Sequence, residues 1–163
     1  MGLFNRIFAK KNNNQVEKDF HESNNKTTNE EINTVAILEK HKNGEMDDRT
    51  FLRLFGETIV FYSTPFGDHK DGKPRLFALP DTEKTGYLPV FLTQEDAIEF
   101  YNAVGRQGFM IMSNTFISFL QTLKSSNNGD MPIKLGAIID PAKYKKTINF
   151  DNLNLVIEII TSN

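Results

Sequence analysis

An α+β domain, with a mixed sheet of five or six strands and helices packed mainly on one face, is the fold this sequence predicts. Three observations lead there. The run Thr58–Tyr62 is made of the β-branched and aromatic residues that fit a pleated surface, and Lys134–Ile139 reads as a further strand. Phe116, Phe119, Leu120 and Leu123 recur at i, i+3, i+4 and i+7, the spacing of a helix with one buried face. The strand-like runs come first as neighbours and then alternate with helical stretches, which is the order of an α+β chain.

In chain order, residues 1–29 read as a flexible, Asn-rich tail with too few apolar residues after Phe8 to offset the entropy of ordering. Its opening, residues 1–11, sets Leu3, Phe4, Ile7 and Phe8 on one helical face with Arg6, Lys10 and Lys11 beside them. That reads either as a weak membrane-surface contact or as a short segment that frays or docks on its own domain. Gly2 is no myristoylation signal, because Arg6 stands where that motif needs Ser or Thr. A single domain is expected over 30–163. It opens with a capping box, Thr28 to Glu31, and a helix to about Lys42 that Gly44 ends.

Asp47 or Asp48 caps a second helix carrying Phe51, Leu54 and Phe55, stopped by Gly56. Thr58–Tyr62 follows as a strand buried on both faces. The turn-rich loop Pro65–Pro74 leads to a strand at Arg75–Leu79, and the two strands pair as a hairpin. Tyr87–Leu92 is the next strand, with Pro89 suited to a strand start or a sheet edge. Thr93 and Asp96 stand at capping-box spacing before a helix to Val104 with Ala97, Ile98, Tyr101 and Val104 on one face, ended by Gly105. Phe109–Met112 reads as a short apolar strand, core-packed unless one face is uncovered, and Asn114 as the cap of the Phe116 helix. Lys134–Ile139 and Asn154–Ile160 complete the strands, separated by a segment that begins at Asp140-Pro141.

Composition removes whole classes of function. Among 163 residues there is no cysteine, hence no disulfide, thiolate nucleophile or cysteine-held metal, which suits a reducing cytosol. A net charge of −2 with mixed signs gives no footprint for a polyanion, so nucleic acid is not an expected partner. No apolar run approaches the ~20 residues of a membrane span, and the start lacks the marks of a signal peptide. A cytoplasmic location is therefore expected, and the sequon at Asn25 is a chance match.

A Phe-rich helix running into a strand, then a proline-bearing strand flowing into a capped helix, is a recognisable pattern. Its pieces are Arg49–Leu52 leading to Thr58–Tyr62, and Gly86 to Ala97 with Leu88-Pro89-Val90-Phe91-Leu92-Thr93 at its centre. Phe109–Met112 before Thr115–Leu120, and Met131-Pro132 before the next strand, continue it. On these residues, over about 47–141, the chain resembles the SseB N-terminal-domain family, named for a bacterial protein of enhanced serine sensitivity. Leu92 and Thr93 stand where that family usually has Thr and Ser, which keeps a hydroxyl cap and loses one polar group. The resemblance implies a bacterial protein and no catalytic residues.

The residues themselves point the same way. His21, His41 and His69 are not at metal-ligand spacing, so neither a metal nor a cofactor is expected. Asp68-His69-Lys70-Asp71 crowds acid, base and cation, yet polar turn residues belong in any such loop. Gly105 to Gly108 lacks the third glycine of a dinucleotide site, and Glu95 and Asp96 suit the first turn of a helix better than a general acid and base. The expectation is thus a non-enzymatic protein-interaction or regulatory module. Phe66, His69 and Tyr87 are its candidate protein-binding residues, with Arg75 on the rim, because large side chains in polar loops anchor interfaces. An immunity-type protein that neutralises a toxin, and a small-ligand binder, are the alternatives.

Overall fold

The computed structural model describes residues 33–128 and 132–162. The tail expected at 1–29, its amphipathic opening at 1–11, His21 and the capping box at Thr28 to Glu31 lie outside the described residues. The chain divides into two compact units, Met1–Val35 and Ala36–Asn163. Of the first, only 33–35 are described, and they are helical. All packing below belongs to the second unit.

The fold is α+β. Helix α1 covers 33–42 and closes in a Schellman turn, for which Gly44 adopts φ +76°. The Gly44 N–H donates to the His41 carbonyl at 3.1 Å and the Glu45 N–H to that of Lys40 at 2.8 Å. Helix α2 (Asp48–Phe55) starts at Asp47, whose carboxylate accepts the N–H groups of Arg49 and Thr50 at 3.0 Å each. It buries Phe51, Leu52 and Phe55, while Leu54, expected on that face, points outward. Gly56 ends α2 without a positive φ. Its role is closeness, because a Cβ there would overlap the Ile160 side chain.

Nine strands follow among the described residues: β1 (Ile59–Tyr62), β2 (Phe66–His69), β3 (Pro74–Leu76), β4 (Leu79–Pro80), β5 (Thr85–Val90), β6 (Arg106–Gln107), β7 (Met112–Thr115), β8 (Lys134–Ile139) and β9 (Lys146–Ile148). They are distributed over three sheets rather than one, in the orders β1-β7, β3-β2-β6 and β4-β5-β8-β9. A bridge between Phe61 and Phe91, with N–H to carbonyl distances of 2.8 and 2.9 Å, links the first pair to the chain just past β5. The expected hairpin between Thr58–Tyr62 and Arg75–Leu79 does not form. The stretch read as a loop supplies β2, which pairs with β3, and β1 pairs with β7 instead.

β5 and β8 are parallel, with Val90 opposite Ile139, and the crossover between them contains α3 (Gln94–Ala103) and α4 (Phe116–Asn127). Pro89 is inside this sheet, not at its start. β4 pairs only as far as Tyr87 and the Phe61 bridge begins at Phe91, so on the side where Pro89 lacks a donor no partner strand runs opposite it. Leu88, Val90, Leu135, Ala137 and Ile139 turn one face toward α2, α4 and α5 (Leu153–Thr161), forming the main core with Phe55, Phe116, Phe119 and Leu120. The helices thus pack mainly on one face, and the periodicity at Phe116, Phe119, Leu120 and Leu123 is a buried stripe.

The last expected strand is α5. Its Ile and Val content favours strands, but Leu153, Val156, Ile157 and Ile160 also stand at helical spacing and meet α2 and α4. β1 is not buried on both faces: Ile59 is 44% exposed, Val60 and Tyr62 enter the main core, and Phe61 joins a smaller one. That smaller cluster consists of Phe77, Phe91, Ala97 and Tyr101 beneath α3, with Phe100 and Phe109 against it. Ile98 and Val104, expected on the buried face of α3, are outside it, because Tyr101 and Phe100 direct the helix. Thr93 caps α3 as expected, accepting the Asp96 N–H at 3.1 Å, whereas Thr115 and not Asn114 caps α4. Strand β7 begins only at Met112, leaving 108–111 irregular.

Candidate binding groove

A concavity opens where the three-stranded sheet meets the start of β7. Its volume is about 400 Å³, and β2 contributes Phe66, Gly67 and Asp68 to its wall. Ser63 and Thr64 line it from the end of β1, and Arg106 and Gln107 from β6. The irregular stretch supplies Gly108, Phe109 and Met110, and Met112 completes the lining.

Local sequence explains how Arg106 arrives there. α3 ends, Gly105 adopts φ +75° to reverse the chain, and Arg106 then lies antiparallel to His69 in β2. A side chain on Gly105 would stand 2.7 Å from His69 Nε2, so the reversal also requires a bare Cα. The Arg106 guanidinium is almost wholly buried, with 4% of the residue exposed. Nη1 donates to the Thr64 carbonyl, and Nη2 donates to Thr64 Oγ1 at 2.8 Å and to the Phe66 carbonyl at 3.0 Å. Its carbon lies 5.0 Å from the ring centres of both Phe77 and Tyr101, within cation–π range. Nε has no hydrogen-bond partner. The absent side chain of Gly67 leaves room for it, since a Cβ there would fall 2.8 Å from Nε.

This charge is held at a cost. Burial pulls the Arg106 pKa below its ordinary value, with Tyr101 acting weakly the other way. Burial also pushes the Tyr101 phenol up to about 12; its oxygen accepts the Ser63 N–H at 3.3 Å. At the rim the chemistry is apolar. Met110 is 77% exposed and Phe66 48%, an unusual outlay of large side chains in water.

The four residues singled out from the sequence do not converge. Phe66 is on the groove. His69 and Arg75 are on the β2–β3 hairpin and line a second hollow of about 180 Å³ with Phe77 and Val104. Asp71 ties them together, 3.0 Å from His69 Nδ1 and in contact with the Arg75 guanidinium. The His69 hydrogen bond is the main reason its carboxyl stays below the usual range. Tyr87 is on the four-stranded sheet, its hydroxyl donating to Asn149 Oδ1 at 2.6 Å.

Sequence reading missed Arg106, which passed as part of a glycine turn, and Met110, which passed as core. A second group it missed is Asp140, at the end of β8. Asp140 is 2% exposed with φ +39°, and its N–H donates to the Val90 carbonyl at 2.8 Å. Oδ1 accepts the Lys143 N–H at 3.0 Å, while Oδ2 has no hydrogen bond and faces Lys143 Nζ at 4.0 Å. Lys143 in turn holds Asp96 of α3 at 2.7 Å. Burial raises the Asp140 pKa. The arrangement fastens the end of the parallel pair to the start of α3. Among the described residues no three His, Asp or Glu side chains gather in a way that could hold a metal ion, and no helix is long and apolar enough to cross a membrane.

No protein-family model matches this chain, and no curated protein or solved structure does either.

Proposed function

We propose that this protein is a non-catalytic docking module of the SseB-like kind, a bacterial cytosolic protein that binds another protein through the groove bounded by β2, β6 and 108–112. Met110 carries the reading. A flexible thioether 77% exposed beside a half-exposed Phe66, on the rim of a concavity, has the character of an adaptable binding surface. The groove's polar floor and apolar rim supply both orientation and contact area for a partner. A second reading rests on the same cavity: about 400 Å³ lies within the range of small-molecule sites, and Arg106 would orient an organic anion there.

The test is retention of a partner from the native lysate by the tagged full chain and by its Met110→Ser and Phe66→Ser forms. Docking through the groove predicts a stoichiometric partner whose affinity falls about tenfold or more in the Met110→Ser form, as for a truncated hot spot. Equal retention by all three forms would contradict it. A rise in Tm with organic acids, in a protein that retains no partner, would support the small-ligand reading instead.

A further inference from the structure

We infer that the segment docking in the groove presents a carboxylate to Arg106, as an Asp or Glu adjacent to a large apolar residue. The inference rests on the docking reading and deepens it.

The argument begins with an imbalance of charge. Arg106 is a buried cation, and among the described residues no carboxylate oxygen comes within 4.0 Å of it. Its neighbours are two neutral oxygens of Thr64, one carbonyl of Phe66 and the faces of two aromatic rings. These stabilise the guanidinium without neutralising it, and a buried charge is costly until it is paired. Nε is left with a proton and no acceptor. A role limited to tying Thr64 to β6 would be met by a neutral donor, which would avoid that cost.

The surroundings define what could complete the pair. The rim at 108–110 lies outside helix and strand and lines the groove together with Arg106. Phe66 and Met110 on that rim call for an apolar neighbour to the acid. Asp68 is the opposing group: it lines the same groove, is exposed, and repels an incoming anion. This gives the acid a sign test at a residue whose exchange leaves the buried contacts intact.

The experiment selects random displayed peptides on the full chain. The strongest binder is then synthesised, together with a counterpart in which Asp or Glu becomes Asn or Gln. The expected result is enrichment of an acid next to Leu, Ile, Met or an aromatic residue, and about tenfold weaker binding by the amide counterpart, as for loss of a charge-assisted hydrogen bond. Binding of the acidic peptide should tighten about twofold or more in Asp68→Asn, while the amide counterpart is indifferent to that change. Arg106→Lys should weaken the acidic peptide through loss of the planar fork; Asp68→Asn keeps the test valid if that variant folds poorly. Peptides enriched without an acid, equal binding of acid and amide, or no tightening in Asp68→Asn would each overturn the inference. Failure to enrich any peptide would overturn it too. The docking reading falls separately, if partner retention proves insensitive to Met110→Ser.

Discussion

The two apolar clusters of this fold are built for different ends. Around β5 and β8 the core is closed: three helices cover one sheet face, and Phe55, Phe116, Phe119, Leu120 and Leu135 are essentially inaccessible. Beneath α3 the cluster is small and aromatic. It includes Phe91 and Tyr101, has the buried Arg106 cation at its edge, and opens on the groove. Close-packed apolar residues give stability and little else, whereas a desolvated charge and uncovered apolar side chains are a stability cost that function explains. The comparison teaches that in this chain the desolvated charge and the uncovered apolar side chains sit where the sheet is broken into short pieces, the place of the proposed docking groove.

The largest effect that would break the comparison is in the closed core. Phe119→Ala removes a ring that packs on Tyr62 and Phe116, and it should cost about 3–5 kcal/mol in urea unfolding. A cost below about 1 kcal/mol would mean that this core is not closed. In the open cluster Arg106→Met should cost less, about 1–3 kcal/mol, because the carbonyls of Thr64 and Phe66 lose donors while a desolvated charge is relieved. The same titration measures it.

Asp140 joins the two regions and sharpens the contrast through pH. Its folded pKa is raised by burial above the ordinary 3.8, so the folded state binds the proton more tightly than the unfolded chain. The stability it contributes is complete below about pH 4 and is lost as pH rises through the folded value. Asp140→Asn keeps the acceptor for the Lys143 N–H and removes that loss. Its Tm should therefore gain on the wild type as pH is raised from about 4 toward neutrality, and parallel Tm curves would contradict the assignment. The smallest effect belongs to Met110→Ser, which should move stability by no more than about 0.5 kcal/mol, since the side chain is in water already.

Much of the closed region was legible in the sequence. The stripe from Phe116 to Leu123, the Asp47 cap, the Gly44 stop and the strand at Lys134–Ile139 all depend on local pattern, and all formed. The open region was not. β2 is a strand composed of Phe-Gly-Asp-His, in which Gly and Asp disfavour a strand, and it is held by pairing on both sides with β3 and β6. α5 went the other way, its Ile and Val overridden by packing on α2 and α4. Of the groove, Phe66 was readable as a large residue in a polar loop. Arg106 was not, because a two-residue strand between glycines gives no sign that its first residue, a cation, is buried against two rings. Met110 was half readable: an apolar run of four residues indicates core until the fold leaves one of them uncovered.

The most direct test of the division is site-specific photocrosslinking in the native cell. A benzoylphenylalanine is placed at Met110 on the groove rim and, as a control, at Leu155, an exposed apolar site on α5 in the closed half. Both positions face water, so neither should disturb the fold. The account predicts a discrete adduct with a protein partner from position 110 and none from position 155. Adducts from position 155 alone, or from neither position in a cell where the chain retains a partner, would contradict it.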